Sequence, residues 1–150
     1  MGSSRVAFAV VAVFVFVVDR VTKSLVMTQI PFGTEVPVLG HFLGIANVHN
    51  SGAAFGLFPP GAPIFLVASI LVAIGLVVYV VRSPNNLWTD IALGLILGGT
   101  LGNGYDRIRF GTVTDFINFH FFPVFNAADS AITVGVLALV AGYVIRKPTA

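Results

Sequence analysis

The chain carries six acidic side chains, Asp19, Glu35, Asp90, Asp106, Asp115 and Asp129. In a sequence that is 57% hydrophobic and only 9% charged, each is conspicuous. Two of them suit the activation of water. Asp115 lies in Val113-Thr114-Asp115-Phe116, between β-branched and aromatic neighbours, and an apolar setting raises a carboxyl pKa. Asp129 closes Phe125-Asn126-Ala127-Ala128-Asp129. Two close carboxylates cannot both ionise readily, so they share a proton; the charged member serves as general base and the protonated one as acid. Asn126 and Asp129 also read as a helix N-cap with an acid at the third position, where the helix dipole favours negative charge. The two readings are compatible, because a cap would fix the carboxylate rigidly.

Other polar groups recur in short patterns. Asp19 and Lys23 stand at i and i+4, the favourable order for an ion pair on one helix face, which is either a structural pair or a substrate-facing one. Asn50-Ser51-Gly52-Ala53-Ala54-Phe55 combines an amide with small residues that admit another backbone; taken alone, it reads first as a loop-to-helix turn and only second as a site. Asn103, Asp106 and Arg107 at i, i+3 and i+4 can share one helix face. The alternative there is a helix ending at Gly102 or Gly104 with a local Asp106–Arg107 pair. Rival chemistries have less support. There is no cysteine, the histidines His41, His49 and His120 are scattered, and neither H-E-x-x-H nor G-x-S-x-G occurs. Nothing in the spacing specifies a Ser51–Lys23 pair. No metal or cofactor is expected.

These residues need a membrane to position them. Soluble domains run at roughly 45–50% apolar and roughly 25% charged, and a soluble fold of 150 residues could not hide this much apolar surface. A helix crosses the hydrocarbon core with about 20 apolar residues. Four segments approach that: 7–27, 63–81, 87–102 and 127–145. They predict one all-α, membrane-embedded domain over 1–150, with four transmembrane helices. The basic N-terminus followed by Val6–Val18 imitates a signal peptide but lacks a small-residue cleavage site, so an uncleaved first span is expected. Gly2 does not signal myristoylation, since Val6 stands where Ser or Thr is required.

An even number of spans puts both termini on one side. Arg5, Arg82, Arg146 and Lys147 flank that side and mark it as cytoplasmic, although Arg20, Lys23, Arg107 and Arg109 lie toward the other. The outward segments are then Thr28–Ala62 and Asn103–Asn126, and Thr34–Leu39 and Leu43–His49 read as two short strands. Asp19, Asp106, Asp115 and Asp129 gather at the outward rim. That layer suits a hydrolase better than a transporter, whose coupling site lies near the midplane; a small transporter using rim carboxylates as a proton relay is the alternative. Asp90, at the inner end of the third span, has no assigned role. A formal charge of +2 gives no reason to expect nucleic acid, and nothing calls for more than a monomer.

Together, Asp19-x-x-x-Lys23, Asn50-x-Gly52-Ala53-Ala54-Phe55, Gly102-Asn103-x-x-Asp106-Arg107, Val113-x-Asp115-Phe116 and Phe125-Asn126-x-Ala128-Asp129 resemble the lipoprotein signal peptidase family, also called signal peptidase II. The resemblance covers nearly the whole chain. It implies a four-helix aspartic protease of the bacterial cytoplasmic membrane, with an outward β-rich cradle and a membrane-surface helix drawn from Thr28–Ala62. It implies cleavage of diacylglyceryl-modified prolipoproteins just before the lipidated cysteine, near the outer face and among membrane lipid. Asp115 and Asp129 map to the catalytic pair. Asn50, Gly52, Asn103, Arg107 and Asn126 map to positions around substrate or dyad, and Asp19, Lys23 and Asp106 to supporting ones. The connection Phe116–Ala128, 13 residues long, is short beside many members and implies a tighter outward loop.

Overall fold

A computed structural model describes residues 2–52, 63–84 and 86–145. The helices are α1 (Ser3–Gln29), α2 (Pro63–Arg82), α3 (Leu87–Phe110) and α4 (Ala127–Ile145); the strands are β1 (Glu35–Leu39), β2 (Leu43–Asn50) and β3 (Val113–Asn118). The expected surface helix, the Ala53-Ala54-Phe55 part of the small-residue motif, and the Arg146-Lys147 pair fall outside the described residues.

Glycines let α3 sit at the centre. A Cβ on Gly94 would come within 2.7 Å of the Phe8 carbonyl oxygen, and one on Gly98 within 2.6 Å of the Ala12 carbonyl oxygen. Contacts that advance together along both helices make α1 and α3 parallel. Gly99 abuts the Ala128 carbonyl and Gly135 the Ala92 carbonyl, so α4 runs antiparallel on another side of α3. Small residues at such crossings let backbones approach where apolar burial alone gives helices no reason to associate. The apolar core is Phe8, Ala12, Val80, Leu93, Ile96 and Leu97.

Outside this core the surface is oily. Along α2 only Val80 is buried, while Ile64, Val67, Ile70, Leu71, Ile74 and Val81 are exposed. Such a surface is a membrane or partner surface rather than a water-facing one. Two helices among the described residues, Pro63–Arg82 and Ala127–Ile145, are long and apolar enough to cross a membrane. The other two interrupt their apolar runs with charge: Arg5, Asp19, Arg20 and Lys23 in α1, and Asp90, Asp106, Arg107 and Arg109 in α3. Arg5 hydrogen-bonds the carbonyl of Val81 at 2.9 Å, fastening the start of α1 to the end of α2.

Two expectations need correction. The third helix does not stop near Gly102. It continues to Phe110 and closes at Gly111, in the left-handed region at φ 74°, whose N–H reaches the Arg107 carbonyl. Asn103, Asp106 and Arg107 therefore sit in the helix body. Among the described residues the sheet also has three strands rather than two, in the order β1-β2-β3, antiparallel throughout. The third is the segment bearing Asp115, which stands opposite Val48. Its pairing partner is remote in sequence, which is why local pattern did not declare it.

Candidate active site

Asp115 and Asp129 approach from different elements. Asp115 is on β3, 2% exposed. Asp129 is in the first turn of α4 and half-buried. The N-cap expectation for Asn126 matches the geometry: its Oδ1 accepts from the Asp129 N–H at 3.0 Å, and its own N–H donates to Asp129 Oδ2 at 3.2 Å. This reciprocal box satisfies orphan groups at the helix start and leaves Asp129 Oδ1 to accept from Asn103 Nδ2 at 2.7 Å.

Amides link the two carboxylates. Asn126, wholly buried, donates through Nδ2 to Asp115 Oδ1 at 2.6 Å and to Asn103 Oδ1 at 3.2 Å. Asn50 donates to the other Asp115 oxygen at 2.9 Å. Its own Oδ1 accepts from the Gly52 N–H at 2.8 Å. Gly52 has φ +80°, and a Cβ there would lie 2.8 Å from the Phe65 ring, so both backbone and space call for glycine. Burial pushes the Asp115 carboxyl up from 3.8 to about 6. The Asn50 and Asn126 amides and the Lys23 charge oppose that rise, while the Asp129 charge adds to it.

Behind the amides lies an ionic knot. Lys23 Nζ is 3.1 Å from Asp19 Oδ2 and 2.8 Å from Asp106 Oδ2, so the i,i+4 pair exists and faces inward. Asp106 does not pair locally with Arg107. Its cations are Lys23 and Arg20, the latter at 2.6 Å, with Arg20 also 2.9 Å from Asp19. The reason is direction: Asp106 faces α1, whereas Arg107 turns to the Phe65 ring, 5.6 Å away, and to the Asn103 carbonyl at 3.4 Å. Two acids and two bases balance, as buried charges must. Arg20 was left without a role by the sequence. The signal was present in Asp19-Arg20-x-x-Lys23, but the acid completing it lies on another helix.

The remaining titratable groups stay apart. His120, just past β3, pairs with Glu35 on β1 at 2.8 Å, and the His49 ring on β2 lies tilted against Phe32. Asp90 is buried near the start of α3. Among the described residues, no group of three or more His, Cys, Asp or Glu is arranged to hold a metal ion. An apolar hollow of about 640 Å³ lies between α1, α2 and α3, lined by Phe8, Ala12, Leu66, Ala73 and Leu97 among others, and contains none of these carboxylates.

A family model described as signal peptidase (SPase) II matches residues 11–145. The chain belongs to the signal peptidase II family. Lipoprotein signal peptidases from Gloeobacter violaceus and Moorella thermoacetica are 40% and 41% identical to it, over 95% and 88% of this chain and 84% and 89% of theirs. The Staphylococcus aureus lipoprotein signal peptidase is 38% identical, over 87% of this chain and 83% of its own. Two solved structures of a bacterial membrane enzyme superpose with TM-scores of 0.86 and 0.85 at 34% and 35% identity. They cover 94% and 95% of this chain, and 89% and 94% of the solved chains. Signal peptidase II membership makes the chain an aspartic-type hydrolase acting on the signal peptides of prolipoproteins.

Proposed function

We propose that Asp115 and Asp129 form the catalytic dyad that cleaves diacylglyceryl-modified prolipoproteins immediately before the lipidated cysteine. The observation that carries this reading is the Asn103–Asn126 bridge, which ties a buried carboxyl titrating near 6 to a second carboxyl at the mouth of α4. Asp115, lifted by burial, holds the shared proton, and the charge rests on Asp129. Asp129 takes a proton from water as its oxygen attacks the scissile carbonyl carbon, and Asp115 gives its proton to the carbonyl oxygen. As the tetrahedral adduct collapses, the C–N bond breaks, the departing cysteine nitrogen takes up the proton held by Asp129, and Asp115 recovers a proton from a gem-diol hydroxyl, which leaves the new carboxyl group. Gly52 leaves room for an extended backbone beside Asn50, and Arg107 offers a cation for a polar group near the lipid linkage.

In this reading all four helices cross a bacterial cytoplasmic membrane, both termini are cytoplasmic, and the dyad lies near the outer face of a monomer. The charges of α1 and α3 are tolerated because they neutralise one another inside the bundle. The apolar hollow between α1, α2 and α3 gives an acyl chain a place beside the helices. A proton-relay transporter is not favoured, since the similar chains are peptidases and membrane enzymes. The test is turnover of a lipidated precursor against its unlipidated form. Each buried CH₂ contributes about 0.8 kcal/mol to membrane partitioning, so the lipidated form should be cleaved and the other left intact. Equal turnover of the two would remove lipid-dependent processing as the function.

A further inference from the structure

Lys23 is fully buried, and each ammonium proton has an acceptor: Asp19 Oδ2 at 3.1 Å, Asp106 Oδ2 at 2.8 Å and Asn103 Oδ1 at 2.8 Å. Each acceptor then reaches a dyad carboxylate or the backbone N–H of the residue before one. Asp19 accepts through Oδ1 from the backbone N–H of Ala128 at 3.1 Å, the residue before Asp129. Asp106 Oδ2 accepts from the backbone N–H of Thr114 at 3.2 Å, the residue before Asp115. Asn103, with its oxygen fixed on a cation, has only its Nδ2 to present to Asp129. One ammonium thus gathers three arms, and they end on both strands of chain that carry the paired carboxylates.

We infer that Lys23 is a positioning residue that sets the separation of Asp115 and Asp129 and fixes the Asn103 amide toward Asp129. The inference rests on the dyad reading above. Arg20 spans the same two acids at 2.9 and 2.6 Å and, with Lys23, balances their charge, so neutralisation is shared between the two bases. Only Lys23 also reaches Asn103. Without the ammonium, Asn103 Oδ1 keeps only the 3.2 Å bond from Asn126 Nδ2, so its amide is held less firmly toward Asp129, and the two backbone arms keep Arg20 as their one shared cation.

Lys23→Met keeps the apolar stem and removes the ammonium, but it leaves an excess buried negative charge. Lys23→Met combined with Asp19→Asn restores the balance and keeps an oxygen for the Ala128 N–H. The experiment measures kcat, KM and the pH profile of kcat for both variants, in detergent, on a lipidated prolipoprotein, with folding checked by thermal unfolding. A misplacement near 1 Å costs about 100-fold in rate. The charge-balanced variant should therefore lose about 100-fold in kcat with KM little changed, and its profile should shift relative to the wild type. A folded charge-balanced variant with kcat within about threefold of wild type, or one whose loss is confined to KM with an unmoved profile, would overturn the inference. If Asp115→Asn and Asp129→Asn are inactive while the Lys23 variant is not, only this inference fails; if those two variants turn over, the dyad reading fails instead.

Discussion

Replacing Asp115 with Asn should make the protein more stable at neutral pH, and the gain should vanish in acid. Burial lifts this carboxyl from 3.8 to about 6, so the folded protein holds the proton more tightly than the unfolded chain. That stabilisation is complete below the unfolded value and is lost as pH rises through the folded one. At roughly 1.36 kcal/mol per pKa unit, the loss by about pH 7.5 amounts to about 3 kcal/mol. Asn escapes it but pays elsewhere: Asp115 accepts from both Asn50 and Asn126, and an amide has one oxygen, so one bond worth about 1 kcal/mol goes at every pH. The variant should sit about 1 kcal/mol below wild type near pH 3 and about 2 kcal/mol above it near pH 7.5. Reversible unfolding in detergent, read at a series of pH values, measures the gap. A variant-minus-wild-type difference that stays constant, or falls as pH rises, would refute the buried-charge argument.

Helix contact and topology give further expectations. Gly99 abuts the Ala128 carbonyl and the Ile132 side chain, whereas Gly75 has nothing within 4 Å. Gly99→Val should destabilise by about 1–3 kcal/mol through overpacking and disturb the start of α4, while Gly75→Val should leave unfolding temperature and turnover near wild type. For topology, single cysteines replacing Thr34 and Arg109 should react with an impermeant thiol reagent in intact cells, and one replacing Ser83 should not. The reverse labelling pattern would invert the orientation.

Much of this site was legible because its polar groups stand out against an apolar chain. The Asp19–Lys23 spacing, the Asn126–Asp129 cap and the boundaries of α2 and α4 follow from local periodicity and capping, which a sequence displays directly. What escaped depends on contacts between distant segments. β3 takes its pairing from β2, and its Val113-Thr114-x-Phe116-Ile117 run, though favourable to a strand, is too short to declare one without that partner. The end of α3 was misplaced because Gly102 and Gly104 resemble stops; Gly102 instead admits the Asp19 side chain, completing a Gly94-x-x-x-Gly98-x-x-x-Gly102 face against α1. The alternative of a local Asp106–Arg107 pair fails because the helix turns Asp106 toward Arg20 and Lys23.

The central claim is that two carboxylates, joined by amides and sharing one proton, perform the cleavage. The most direct measurement is single-turnover cleavage of a lipidated prolipoprotein by purified Asp115→Asn and Asp129→Asn, each shown to be folded and to bind the precursor. Positioned acid–base groups contribute about 10²–10⁴-fold apiece. The account predicts that each substitution alone lowers the cleavage rate by at least that range while binding persists. Asp19→Asn and Asp106→Asn should lower it only in part, through positioning and stability. Near-wild-type cleavage by either folded Asp115→Asn or folded Asp129→Asn would contradict it.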